Sequence, residues 1–271
     1  MGIEQIYPED LSRYISEKKE TDYLLVDVRE RGEYESEHIP GAKLLPLSEL
    51  EGRLDELPED RELIFYCRSG HRSNVGAMFA RDSGLVNGAI YTLIGGISGW
   101  EGKILTGFPR FQTLEGVSDL SQTLERAINM EKGAFLFYET MVTLSSGLAR
   151  EKTVEKLSRM EVGHAKAIYA FLSKIKQVKP FEELFGELKG DIVEGGWDLE
   201  AAVERVRENT ENACLFMCEL ALELEYRAYD LYRNLAEKAP EADYKRAMFF
   251  LSEQEKAHVR LLTRRLPDCF N

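Results

Sequence analysis

Two textures divide this 271-residue chain. Up to about residue 105, short apolar runs alternate with amphipathic stretches. Tyr23–Asp27 (YLLVD), Glu62–Tyr66 (ELIFY) and Ala89–Leu93 (AIYTL) are continuous runs of strand length, the pattern of buried strands. Between them, helical spacing runs over Pro8–Glu17, Glu30–Glu37, Ser48–Leu54 and Ser73–Ser83. Strands separated by helices predict an α/β unit, a mainly parallel sheet with helices on both faces. Gly95–Trp100 (GGISGW) predicts a closing turn and a short helix.

Beyond residue 108 the pattern changes. Gly107, Pro109 and Gly116 mark a linker over 109–117. Four long helical patterns follow, over 118–144, 149–177, 208–238 and 241–266. Ser145-Ser146-Gly147 and Pro240 read as the turns within each pair. The connection over 180–197 is looser, with four glycines, and Asp198–Val206 reads as a short extra helix. No strand is expected here. The domains expected are 1–108, α/β, and 118–271, an all-α four-helix bundle built from two hairpins joined by a long crossover.

The two hairpins carry the same signature at the same spacing. Glu131 is followed 30 residues later by Glu161-Val-Gly-His164, and Glu225 by Glu255-Lys-Ala-His258. The lead-in Ala127, Glu131, Ala134, Tyr138 repeats as Ala221, Glu225, Ala228, Tyr232. Glu131 and Glu161 each lie 15 residues from Ser146, and Glu225 and Glu255 each 15 from Pro240. In an antiparallel hairpin, equal distance from the turn means equal depth. All four glutamates therefore converge at mid-bundle. His164 and His258 fall three residues after their glutamates, on the same helix face. Four carboxylates and two imidazoles are the ligand set of a two-metal centre. Its oxygen-rich donors with one nitrogen per metal suit iron or manganese better than a structural zinc. Tyr138 and Tyr232 lie two turns beyond their glutamates and are expected to pack in the core, with hydrogen-bond donation toward the ligands as the alternative. Cys214 and Cys218 share a helix face and read as small core residues, with a redox thiol pair as the alternative.

Residues 118–266 resemble the rubrerythrin and ferritin-like di-iron family. The resemblance implies two iron ions, with manganese or zinc as alternatives. It implies Glu161 and Glu255 as bridging ligands, and Glu131, Glu225, His164 and His258 as terminal ones. Rubrerythrins typically carry a further ligand glutamate one turn before the third helix's glutamate. Leu222 stands there, so the centre is closer to the symmetric six-ligand type. The Cys-x-x-Cys knuckles of a rubredoxin module are absent from the sequence, which points to an external electron donor such as a rubredoxin-like protein.

Cys67-Arg-Ser-Gly-His-Arg-Ser73 follows one expected strand and opens one expected helix. Backbone N–H groups of such a loop curl into an anion nest backed by the helix N-terminus. Both effects lower a thiol pKa and favour a thiolate or persulfide. Arg68, His71 and Arg72 add positive potential, Gly70 permits the tight loop, Ser69 completes it, and Ser73 is expected to cap the helix. The loop and its surroundings resemble the rhodanese family over residues 3–105: Leu25–Arg29, Glu33-Tyr34, His38–Ala42, the Cys67 loop and Gly95-Gly96 to Trp100 occur in family order. The resemblance implies a sulfurtransferase with Cys67 as the sulfur-carrying nucleophile. Arg68 to Ser73 would form the persulfide cradle, and Asp27 and Arg29 would organise the loop from a neighbouring strand end. Thiosulfate or a persulfide would be the donor, and a thiol or cyanide the acceptor. The loop is one residue shorter than that of rhodanese-like phosphatases, which favours sulfur over phosphate or arsenate chemistry.

Composition narrows the setting. Net charge is −13, which argues against nucleic acid and anionic lipid as partners. No long apolar run predicts a membrane span. Four scattered cysteines point to a reducing cytoplasm rather than a disulfide scaffold. A homodimer fits the bundle. Iron storage or redox sensing without turnover is the alternative to a peroxide- or oxygen-reacting bundle.

Overall fold

The computed structural model describes residues 2–109, 120–144, 151–193, 196–209, 213–239 and 241–269. The chain divides into two compact units, Met1–Pro109 with Tyr232–Ala239, and Arg110–Leu231 with Pro240–Asn271. The expected turns at 145–147 and Pro240, and the expected linker beyond Pro109, lie outside the described residues.

The first unit runs β1 (Ile3–Ile6), α1 (Pro8–Glu17), β2 (Tyr23–Asp27), α2 (Arg31–Ser36), β3 (Lys43–Leu44), α3 (Leu47–Leu50), β4 (Glu62–Tyr66), α4 (His71–Asp82) and β5 (Ile90–Leu93). A 3-10 turn over Glu51–Glu56 extends α3, and another over Gly96–Gly99 follows β5. The sheet order is β1-β5-β4-β2-β3, with every pairing parallel. Side chains alternate across it. Leu24, Val26, Leu63 and Phe65 pack on one face with Leu50, Ala77 and Ala80. Tyr23, Leu25, Ile64 and Tyr66 pack on the other with Leu11, Tyr34 and Ile97. Burial on both faces is why these strands read as unbroken apolar runs. The sequence pattern hid β1, which is exposed at Glu4 and Gln5, and β3, which is two residues long. The chain leaves β2 toward β3 and leaves β4 toward β5, on opposite sides. The crevice beyond the carboxyl ends of β2 and β4 is therefore a topological switch point, where open α/β sheets bind ligands.

The second unit contains α5 (Leu120–Leu144), α6 (Glu151–Ile175), α7 (Phe181–Glu187), β6 (Ile192–Val193), β7 (Trp197–Asp198), α8 (Leu199–Glu208), α9 (Ala213–Lys238) as far as Leu231, and α10 (Ala242–Arg265). The four long helices sit where the 3.6-residue spacing predicts them. The crossover is more ordered than that spacing indicates. It holds α7 and an antiparallel ladder pairing Ile192 with Asp198 and Val193 with Trp197. Two-residue strands are too short to show a period, so the expectation of no strand is corrected here. Asp198 caps α8 by accepting from the Ala201 N–H at 2.9 Å, a contact typical of a helix start. The crossover lies against α5 at Gly133, where an added Cβ would sit 2.1 Å from the Ile192 carbonyl oxygen. Only glycine allows that approach. Phe137, Met141, Leu157, Val193, Val203, Leu220, Leu224 and Leu262 belong to the core of this unit, each contributing about 1.5–3 kcal/mol on burial.

No described helix is long and apolar enough to cross a membrane.

Candidate functional site

Cys67 follows the last residue of β4 and is 1% exposed. The chain turns sharply at Gly70, whose φ of +103° favours glycine. This places the Gly70 N–H 3.1 Å from Cys67 Sγ, toward which it donates. Burial alone would raise the thiol pKa, but the amides of Ser73, Gly70 and Ser69 outweigh it and bring the pKa below the ordinary cysteine value. A second segment clamps the loop from behind: Ile97 N–H donates to Cys67 O at 2.8 Å and Ser98 N–H to Arg68 O at 3.0 Å. The helix cap differs from expectation. Gly70 is the N-cap, without a side-chain bond, and the Ser73 hydroxyl donates to Gly70 O at 3.0 Å. The left-handed turn places the cap three residues earlier than Ser73.

The basic side chains around the loop are not equivalent. Arg68 and His71 are exposed, and His71 Nδ1 lies 3.2 Å from Ser69 Oγ. Arg72 is engaged: Nη1 donates to Glu33 Oε2 and Nη2 to Glu33 Oε1, each at 2.7 Å. Hydrogen bonds from Arg72 bring the Glu33 carboxyl down to about 2. Asp27 and Arg29 form a buried pair at 2.7 Å. Arg29 also donates to Glu37 O at 2.6 Å and its guanidinium lies 5.6 Å from the Tyr66 ring centre. The pair thus ties the end of α2 to the residue before Cys67.

In the second unit, Glu131, Glu161, Glu225, Glu255, His164 and His258 are all buried. They come together from α5, α6, α9 and α10. The imidazoles stack at 4.5 Å between ring centres, 22° apart. Glu161 offers Oε2 to His164 Nδ1 at 3.4 Å and Oε1 to His258 Nδ1 at 3.3 Å. Glu255 likewise sets Oε1 toward His164 at 3.9 Å and Oε2 toward His258 at 3.7 Å. Glu131 meets His164 at 3.4 Å and Glu225 meets His258 at 3.0 Å. Three overlapping groups with metal-binding spacing result: Glu161, His164 and His258; Glu131, His164 and Glu255; Glu225, Glu255 and His258.

The electrostatics fit a cation pair. Both oxygens of Glu161 and both of Glu255 are buried without a hydrogen-bond partner, an arrangement costly for a carboxylate. Burial, reinforced by neighbouring carboxylates, pushes the Glu161 and Glu255 pKa values well above the ordinary range. Burial would also raise Glu225, but His258 and the Tyr138 hydroxyl hold it down. Two divalent ions would satisfy the bare oxygens and offset the four charges.

The rhodanese-like domain model matches residues 8–103, and the rubrerythrin model matches residues 122–266, more than half of the chain. A sulfurtransferase of Allochromatium vinosum is 36% identical over 98 residues, covering 36% of this chain and 88% of that protein. The chain belongs to the rhodanese and rubrerythrin families. It is a fusion of the two. The uncharacterized protein YqhL of Bacillus subtilis is 42% identical over 80 residues, 30% of this chain, and the chain spans 62% of its length. A rhodanese-related protein of Thermoplasma volcanium, known as a crystal structure, is 28% identical with a TM-score of 0.33, over 38% of this chain and 97% of that one. A rubrerythrin domain implies a di-iron site, and the carboxylate and imidazole groups that converge here could bind metal.

Three features of the rhodanese and rubrerythrin domains differ from the first sequence expectation. Glu33 was visible only as part of a motif, with nothing to mark it as the counter-ion of Arg72, 39 residues away. Tyr138, for which core packing was the first expectation and donation to the ligands the alternative, donates to Glu225 Oε1 at 2.5 Å. Its place two turns after Glu131, on one face, was the available signal. Cys214 is disulfide-bonded, whereas Cys218 is a buried cysteine outside any disulfide. They are therefore not a pair with each other, and Cys214 is not a simple core residue. One helical turn is a strained span for a disulfide.

Proposed function

We propose that the rhodanese domain moves sulfane sulfur through a Cys67 persulfide, and that the rubrerythrin domain reduces peroxide or oxygen at a di-iron site. The observation that carries the first part is the Cys67 sulfur held under the Gly70 amide, with its pKa lowered by the loop. The Cys67 thiolate attacks the outer sulfur of thiosulfate or of a persulfide. The S–S bond of the donor breaks and sulfite, or a thiolate, leaves with the electron pair. Cys67 then carries Cys–S–S⁻, its charge held by the loop amides and the N-terminus of α4. A thiol or cyanide takes the outer sulfur and returns the thiolate. Asp27 and Arg29 hold Tyr66, and through it the base of the loop.

In the rubrerythrin domain, Glu131, Glu161, His164, Glu225, Glu255 and His258 would hold two ions. Glu161 and Glu255 suit bridging positions because each sets one oxygen toward each imidazole. When bound, iron supplies the one-electron changes by which peroxide or oxygen is reduced. Tyr138 fixes Glu225 through its hydroxyl, and burial of all six donors excludes bulk water. With no Cys-x-x-Cys knuckle in the sequence, the electrons come from an external donor such as a rubredoxin-like protein.

Thiosulfate-dependent thiocyanate formation tests the first part. It should be lost in Cys67→Ala, and its persistence there would overturn the assignment. Metal per chain in protein purified without oxygen tests the second. About two ions are expected, with peroxide consumed by the reduced protein. Bound iron without peroxide consumption would leave a storage module instead.

A further inference from the structure

Arg72 stands in the first turn of α4, directly after the sulfur loop, with its fork already filled. Glu33 takes both donors at 2.7 Å. The carboxylate is itself fixed from behind, since Glu33 Oε2 also accepts the Glu30 N–H at 3.1 Å in the capping box of α2. Both side chains are about a third exposed, 34% and 35%, so the pair is open to solvent rather than buried in the core. Arg72 is near enough for the charge of Cys67 and of Asp27 to act on it. A bidentate guanidinium–carboxylate pair is geometrically specific and presents no net charge to an incoming anion. The amides that cradle sulfur are unaffected, because they belong to the backbone.

We propose that Glu33 is a specificity-determining residue of the rhodanese domain: by neutralising Arg72 it tunes the loop toward singly charged sulfur donors and away from the thiosulfate dianion. This rests on the sulfurtransferase reading given above. Two probes of similar size isolate the charge. Thiosulfate transfers sulfur as Cys–S⁻ + S₂O₃²⁻ → Cys–S–S⁻ + SO₃²⁻. Methanethiosulfonate does so as Cys–S⁻ + CH₃SO₂S⁻ → Cys–S–S⁻ + CH₃SO₂⁻. One methyl group replaces one anionic oxygen.

The test is the ratio of kcat/KM for thiosulfate to that for methanethiosulfonate, with cyanide as acceptor, in the full chain. Glu33→Gln keeps a side chain that can complete the capping box and frees the Arg72 charge. The ratio should rise about fivefold, the preference that one freed charge about 8 Å from the extra negative charge gives at an effective dielectric of about 40. The rise should shrink as ionic strength increases. The double variant Glu33→Gln/Arg72→Gln should return the ratio to the wild-type value, a reversal that a merely structural role would not produce. An unchanged ratio in Glu33→Gln, or a raised ratio that persists in the double variant, overturns the proposal while the sulfurtransferase reading stands. Wild-type protein that turns over neither donor overturns both. Glu33→Asp shortens the reach and keeps the charge. It should move the ratio less than Glu33→Gln, and a larger shift would count against the charge argument.

Discussion

Gly96 lies 29 residues from the nucleophile in sequence and against it in space, and its replacement by alanine links fold to chemistry. It opens the turn after β5 with a φ of +57°. An added Cβ would sit 2.3 Å from Cys67 O and 2.6 Å from Arg68 O. Neither oxygen can withdraw freely, because Ile97 N–H and Ser98 N–H hold them at 2.8 and 3.0 Å. The left-handed backbone adds about 1–2 kcal/mol for a residue with a Cβ. Loosening the two backbone bonds adds about 1 kcal/mol each. The total is about 3–4 kcal/mol. For a domain of about 100 residues, with about 4 °C per kcal/mol, the unfolding midpoint falls by about 12–16 °C. The displaced loop carries the Gly70 amide away from Sγ, so the thiol pKa climbs and alkylation at neutral pH slows. Calorimetry of the full chain and iodoacetamide labelling of Cys67, read by mass spectrometry, measure both effects. Gly84→Ala is the control: it has a φ of +68° but open space where the Cβ would go, so it carries only the backbone penalty. A Gly96→Ala midpoint no lower than that of Gly84→Ala, with unchanged labelling, would refute the reasoning.

Two further outcomes follow from the buried charges. Glu161→Gln should lower the metal bound per chain yet stabilise the metal-free protein. Its carboxyl pKa is raised in the fold, so between the unfolded and folded values the native state holds more protons than the unfolded chain. Metal-free stability therefore falls as pH rises through that window, and the variant should flatten the fall. Urea titrations at pH 6 and 8 measure this, and a steeper fall in the variant would contradict it. Asp27→Asn leaves the Arg29 guanidinium, 2% exposed, without its charged partner, at a cost of about 3–5 kcal/mol. A change under about 1 kcal/mol in the denaturation midpoint analysis would show that the pair is not buried as described.

The sequence made the candidate metal centre legible because its carboxylates and imidazoles repeat. Two hairpins with glutamates at equal depth can converge in one way, and the structure brings together all six side chains. The sheet was legible where strands are buried on both faces, as at Leu24–Val26 and Leu63–Phe65. It was hidden where a strand is an exposed edge, as at Glu4 and Gln5. Short elements left no period to read, which is why Ile192–Val193 and Trp197–Asp198 went unseen. The loop around Cys67 was recognisable from its residue types, but its cap was not. Ser73 has the right chemistry for a cap, while a left-handed Gly70 decides where the helix begins. The contact of Arg72 with Glu33 depends on three-dimensional neighbours that no local pattern encodes, while the partner of Tyr138, Glu225, lies on another helix than the glutamate its spacing points to.

The close approach at Gly133 has a consequence for protein engineering. The main chain of the crossover fills the space where a side chain on α5 would otherwise project, two residues after Glu131. That strap is a splint against the rod that carries Glu131, and not a slack tether. Lengthening or trimming it would tilt the rod and pull one donor off centre. A chimaera that swaps hairpins between related bundles should therefore transplant the strap and α5 as a single cassette.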